Sequence, residues 1–243
     1  MKNIEHIKNK IKNKIKNTTI PIKLLEFIKW KLIDLYRLIK YPQKPHLYGI
    51  RCIVGMYGSG KTMTMAYLAL KYRKKYGDKI YITSNFGLAI QDFAFNDLEQ
   101  LTIQYDKPII FFFDEAQMEF PSSDRVLPKP VRQALSLNRK GNGKMIYWAS
   151  QDEELVHKGF RRLTIEYLQV KTLFKRYTRI RTYLAMDYEQ MRAEVDVNKK
   201  RKIKPIWRES YIQSDYIRSL YNSFGWDNGE KLKDNLGLKS VKK

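Results

Sequence analysis

The sequence predicts an α/β fold with a mainly parallel central sheet, a basic helical extension at its N-terminus and a small β-rich addition toward its C-terminus. Three observations predict it. Short runs rich in β-branched and aromatic residues alternate with helical patterns from Gly49 onward, the order expected of a doubly wound sheet. Ile109–Phe113 is apolar at every position, as a strand buried on both faces must be. The first strand runs into Gly55-Met56-Tyr57-Gly58-Ser59-Gly60-Lys61-Thr62, a glycine-rich turn that opens a helix.

Residues 1–48 read as a basic arm and an amphipathic helix. Ile7, Ile11 and Ile15 recur every four positions in a low-complexity start, too short a helical pattern to be stable alone in water. Pro21 can open a helix, and Leu24–Lys40 then places Leu24, Ile28, Leu32, Leu35 and Ile39 on one face, widened by Phe27, Trp30 and Tyr36. Charges interrupt this run too often for a membrane span, which needs about 20 mainly apolar residues. No uninterrupted apolar stretch follows the first lysines, so the start does not read as a cleavable signal peptide. Three settings suit the helix: packing on the domain or a neighbouring subunit, lying on an anionic membrane surface, or pairing with another helix. Pro42 and Pro45 end it.

Residues 49–190 read as the core. Its expected strands are Ile50–Val54, Lys79–Ser84, Ile109–Phe113 and Met145–Ser150. The helices between them are Met63–Lys75, a short capped one at Asn96–Leu101 and a proline-opened one at Pro130–Asn138, with turns at Asp106-Lys107-Pro108 and Gly141-Asn142-Gly143. Asp152–Lys158 is a short acidic helix candidate. From about residue 164, Thr164–Phe174 and Tyr177–Met186 read as an antiparallel pair around Lys175-Arg176. Residues 191–243 read as a basic loop (Asn198–Lys204), a short helix (Ser214–Asn222) and a tail from Gly225.

Charge is distributed unevenly over this plan. Residues 1–48 hold 12 basic and 3 acidic side chains, and 158–208 hold 15 and 5, whereas 49–157 hold 14 and 12. The core is nearly balanced between strongly basic flanks, which point to a polyanionic partner, nucleic acid or anionic lipid. The one cysteine, Cys52, cannot form an internal disulfide and reads as a buried thiol in the first strand. His6, His46 and His157 lack metal-site spacing.

Gly55–Thr62 fits G-x-x-x-x-G-K-[ST] at every fixed position. Glycines let the backbone curl so that N–H groups point at phosphate oxygens, and the following helix N-terminus adds partial positive charge. Gly55, Met56, Tyr57, Gly58, Ser59, Gly60, Lys61 and Thr62 are therefore the candidate nucleotide-binding residues. Lys61 would reach the β- and γ-phosphates of ATP, and the Thr62 hydroxyl would ligate Mg²⁺. This is a phosphate-binding loop of the P-loop NTPase kind.

About 50 residues on, the apolar strand Phe111-Phe112-Phe113 ends in Asp114-Glu115, at the sheet edge where open α/β sheets bind ligands. Asp114 is the second candidate Mg²⁺ ligand, and Glu115 the candidate base toward an attacking water. Gln151, at the end of the fourth strand, would touch the γ-phosphate or that water. Arg139 would stabilise transition-state charge in its own subunit or a neighbour, with Arg125, Arg132, Arg161 and Arg162 as competitors. Tyr177, Tyr183 and Trp207 are candidates for stacking on single-stranded bases.

Gly55–Thr62, Lys79–Phe86, Phe111–Arg125 and the runs Leu137–Gly141 and Tyr147–Gln151 together resemble the Zot-type (zonular occludens toxin-like) ATPases of filamentous phages. The last two runs are also similar to the arginine–glycine, strand, Ser/Thr-Gln pattern of the FtsK–HerA group of DNA-translocating ATPases. The resemblance implies an oligomeric ATPase, such as a hexameric ring, that uses ATP and Mg²⁺ to move viral DNA during virion assembly. It implies a site of work in the host cytoplasm, at the inner face of the cell membrane. A membrane-embedded assembly protein is then a further candidate partner for Leu24–Lys40. Zot-type proteins commonly carry a transmembrane helix after the ATPase domain, which this sequence lacks, and Asn138 and Lys140 flank Arg139 where a histidine is usual. A genome-packaging ATPase of the FtsK–HerA type, a small-molecule kinase with a lid in Lys158–Arg181, and a non-hydrolysing DNA or membrane adaptor are the alternatives.

Overall fold

The computed structural model describes residues 22–40 and 45–221. The basic arm, Pro21, the break at Pro42 and the tail from Gly225 lie outside the described residues. The chain divides into two units, Met1–Lys44 and Pro45–Lys243. In the first, residues 22–40 are helical (α1), with Lys31 over the Phe27 ring and Lys40 over the Tyr36 ring, each one turn away. Among the described residues no helix is long and apolar enough to cross a membrane.

The second unit is built on one eight-stranded sheet in the order β3-β2-β4-β5-β1-β6-β7-β8. Its strands are β1 (Gly49–Val54), β2 (Tyr81–Ser84), β3 (Phe93–Ala94), β4 (Ile109–Phe113), β5 (Lys144–Ala149), β6 (Thr164–Leu173), β7 (Tyr177–Leu184) and β8 (Trp207–Ile212). The pairings from β3 through β6 are parallel, and β7 and β8 close the sheet antiparallel. The helices are α2 (Lys61–Tyr76), α3 (Lys129–Ser136), α4 (Lys158–Arg161), α5 (Ala185–Ala193), α6 (Val197–Lys202) and α7 (Asp215–Ser219).

Strand alternation sorts the core into two layers. Ile53, Ile110, Phe112, Tyr147 and Ala149 face the side covered by α2 and α7, where they meet Met65, Leu68 and Ile217. Ile50, Cys52, Phe111, Phe113 and Trp148 face the opposite side, where they meet Val131 and Leu135 of α3 and Tyr188 of α5. All five β4 side chains are buried, so this strand is anchored on both faces. Each buried phenylalanine there contributes about 1.5–3 kcal/mol.

Several expected elements differ. Asn96–Leu101 is a 3-10 turn at Leu98–Leu101, capped by the Asp97 carboxylate on the Glu99 and Gln100 N–H groups. The acidic segment after β5 holds a 3-10 turn at Glu153–Leu155 and then α4. The β-rich addition is no appendage, since β6 pairs parallel with β1 and carries the central sheet onward to β8. Asn198–Lys204, expected as a loop, is largely helix: Asp196 accepts the Asn198 N–H and starts α6. Residues 191–221 also hold β8, which had no counterpart in the sequence reading.

Candidate active site

The phosphate loop leaves β1 at its C-terminal end and closes on itself. Ser59 N–H donates to the Met56 carbonyl at 3.0 Å, and Thr64 N–H to the Gly60 carbonyl at 2.9 Å. Gly58 and Gly60 have φ of +70° and +91°, where a side chain would strain the backbone. Lys61 Nζ donates 3.1 Å across the loop to the Gly55 carbonyl. The Ser59 hydroxyl is buried and has no hydrogen-bond partner among the described residues. An unpartnered donor and an ammonium laid across a ring of turned backbone fit a bound polyphosphate.

Strand β6 holds this loop from beside it. Thr172 Oγ1 donates to the Ser59 carbonyl at 2.7 Å, lies 2.9 Å from Thr178 Oγ1 and accepts from Gln213 Nε2 at 3.2 Å. Sequence reasoning passed over Thr172 and Gln213, because no local pattern marks a threonine more than a hundred positions from the loop it supports.

The carboxylates stand next to the loop. Thr62 Oγ1 donates to Asp114 Oδ2 at 2.5 Å, so the two candidate Mg²⁺ ligands share one point in space. Both are oxygen donors, which suits a hard cation that keeps most of its waters. Burial pushes the Asp114 carboxyl above its ordinary value; the Thr62 hydroxyl opposes the rise and the Glu115 charge adds to it. Asn85, at the end of β2, brackets the residue by accepting the Asp114 N–H and donating to its carbonyl, both at 2.9 Å.

Glu115 sits at φ +48°, an unusual conformation for a residue with a Cβ. That turn swings its carboxylate between two amides. Gln117 Nε2 donates to Oε2 at 2.5 Å, and Gln151 Nε2 donates to Oε1 at 3.0 Å. The Ser150 hydroxyl in turn donates to Gln117 Oε1 at 2.7 Å. Strand β5 makes this possible: lying between β1 and β4, it delivers Ser150 and Gln151 between the phosphate loop and the acids. Gln117 went unnoticed in the sequence, although its place two residues after Glu115 was the available signal.

The fold is that of a P-loop NTPase. No protein-family model matches the sequence, and no curated protein does. Among solved structures, the chain is similar to the N-terminal domain of zonular occludens toxin from Neisseria meningitidis, at 18% identity and TM-score 0.46 over 72% of this chain and 100% of that one. It is similar to the genome packaging NTPase B204 from Sulfolobus turreted icosahedral virus 2, at 15% and 0.44 over 70% and 94%. It is also similar to the ATPase DotB from Legionella pneumophila, at 12% and 0.36 over 82% and 60%. At these identities and TM-scores the likenesses carry no functional argument.

Gly55–Thr62, Asp114, Glu115 and Gln151 come together at one edge of the sheet. Arg139 does not join them. Its guanidinium lies over the Tyr48 ring at 5.4 Å, and its neighbour Asn138 accepts the Gly49 N–H, so it sits at the start of β1. The phosphate loop lies beyond the end of that strand, roughly 17 Å further on. Action of Arg139 on a nucleotide in its own subunit is thereby overturned. Arg125, Arg132 and Arg162 are exposed, while Arg161 is half-buried and its charge acts on Glu153. Of the stacking candidates, Tyr183 is buried against Tyr188 and cannot serve. Tyr177 is half-buried, and Trp207 is 64% exposed.

Proposed function

We propose that this chain is an ATPase that works as an oligomer, a hexameric ring being one such assembly, and uses ATP hydrolysis to move viral DNA during virion assembly at the inner face of the host membrane. The observation that carries the chemistry is the Thr62–Asp114 contact beside a Glu115 carboxylate held by Gln117 and Gln151. Gly55–Thr62 would hold the phosphates of ATP, and Thr62 with Asp114 would hold Mg²⁺. The bound nucleotide and ion supply the transferable phosphoryl group and neutralise its charge. Glu115 accepts a proton from the attacking water, and Gln151 keeps that carboxylate aimed.

Arg139 supports the oligomer. Exposed at the edge opposite its own loop, it is available to a neighbour's nucleotide and not to its own. The kinase alternative loses its lid, because most of Lys158–Arg181 is built into β6 and β7 of the central sheet. α1, with its apolar face and lysines, suits an anionic membrane surface or a membrane-embedded partner.

The test is turnover. Purified protein with Mg²⁺ and ATP should release phosphate, and Glu115→Gln should keep ATP binding while losing about 10²-fold or more in rate. Undiminished turnover in that variant removes Glu115 from the role. Tight binding without turnover in the wild type, even when assembled and given DNA, replaces the motor with a nucleotide-binding adaptor.

A further inference from the structure

The charges on β6, β7 and β8 sort by face. Every basic side chain on these three strands has one parity: Lys171, Arg179, Arg181 and Arg208 project on the α5 side of the sheet. Both acidic side chains, Glu166 and Glu209, have the other parity and are consumed on the α2 side. Glu166 pairs with Arg51 at 2.7 Å, and Glu209 pairs with Lys71 and accepts from the Tyr67 hydroxyl.

The register then sets like against like. Lys171 lies directly opposite Arg179, and Arg181 directly opposite Arg208. Side chains opposite one another on a face are about 4.5–5.5 Å apart at Cβ, and like charges there destabilise a sheet. Among the described residues none of the four has an acidic partner, and the places completing their rows are the uncharged Gln169 and Ser210. Lys171, Arg181 and Arg208 are exposed and Arg179 is half-buried. Tyr177, two residues before Arg179, has the same parity and adds an aromatic ring to the border of the patch.

We propose that this face of β6–β8 is the surface that binds single-stranded nucleic acid, its four cations taking backbone phosphates and Tyr177 stacking on a base. The proposal rests on the reading of DNA as the partner and assigns that contact to one place. Four uncompensated cations held in register on rigid strands complement a polyanion, and cations flanked by an aromatic are the usual means of binding a strand without regard to sequence.

The experiment is a salt titration of full-length protein binding to a fluorescent oligo-dT strand, comparing wild type with the double variant Arg181→Gln/Arg208→Gln. Each phosphate contact on a single strand contributes about 0.7 to the slope of log affinity against log salt, so the variant should be shallower by about 1.4. Tyr177→Ala should weaken the same strand about fivefold or more. Because the double substitution relieves repulsion, its thermal midpoint should not fall, which separates lost contact from lost fold. Strand binding with an unchanged slope moves the contact elsewhere and overturns the proposal while leaving the DNA reading intact. Absence of strand binding by the wild type at low salt removes the DNA reading itself. Loss of binding to anionic vesicles in place of the strand, or dissociation of the oligomer, reassigns the patch to lipid or to a subunit contact and overturns it equally.

Discussion

Replacing Thr172 by valine tests whether the far half of the sheet holds the phosphate loop. The substitution preserves shape and deletes one hydroxyl, which donates to the Ser59 carbonyl and accepts from Gln213. Gln213 Nε2 keeps its second partner, Thr178 Oγ1 at 2.9 Å, so the loss falls mainly on the Ser59 carbonyl. Leaving a half-buried acceptor without its donor costs about 1–3 kcal/mol. For a chain of this size each kcal/mol is worth about 2–4 °C, so the thermal midpoint should drop by roughly 2–12 °C. Part of that cost should reappear as weaker ATP binding, by up to about tenfold, since Ser59 and Gly60 are then free to turn away from the phosphates. Circular-dichroism melting and ATP titration read the two effects, with Thr172→Ser as the control that restores the hydroxyl. If Thr172→Val melts and binds ATP like the wild type, the support drawn from β6 is refuted.

Two further outcomes follow from the site. Gly55→Ala should abolish nucleotide binding, because its Cβ would lie 2.8 Å from the Val170 backbone carbonyl and 2.4 Å from Ser59 Oγ, and the backbone neighbour cannot swing aside; retained ATP affinity in titration calorimetry would contradict this. Asp114 governs a pH dependence in the nucleotide-free protein. Burial raises its folded value above the unfolded one, so its stabilising share is fully present below the unfolded value and lost as pH rises through the folded one. Asp114→Asn carries no such loss, so its stability relative to wild type should improve as pH rises above the ordinary carboxylate value of about 4, read by urea denaturation. A difference that stays constant with pH would refute the assigned shift.

What could be read from the sequence is what is written locally. Gly55–Thr62 declares itself by fixed spacing, and Ile109–Phe113 by an unbroken apolar run that only a strand buried on both faces requires. β8 was illegible for the opposite reason. Its faces carry Trp207, Glu209 and Tyr211 on one side and Arg208, Ser210 and Ile212 on the other, so neither is plainly apolar and no period of two appears. α6 has no apolar stripe, and its only announcement was the Asp196 cap. Arg139 was misjudged within its own subunit because its motif gives distance along the chain, while strand direction decides which edge it reaches. Gln117 and Thr172 matter through partners that only the folded chain supplies.

Strand alternation puts the brace of the phosphate loop and the proposed polyanion surface on one strand. Lys171 and Thr172 are consecutive on β6 and therefore point to opposite faces of one strand. Thr172 grips the phosphate loop through Ser59, while Lys171 belongs to the cationic rows opposite Arg179. On the proposed reading, a phosphate backbone laid on those rows would act on the strand that supports the nucleotide loop, with one peptide unit between them. Any preference of the strand for the ATP-bound state must then appear as an equal preference of ATP for the strand-bound state, because coupling between two ligands is reciprocal. Under that proposal the sheet beyond β1 would link loop and polyanion, since Thr172, held in turn by Gln213, braces the loop from the opposite face of the same strand.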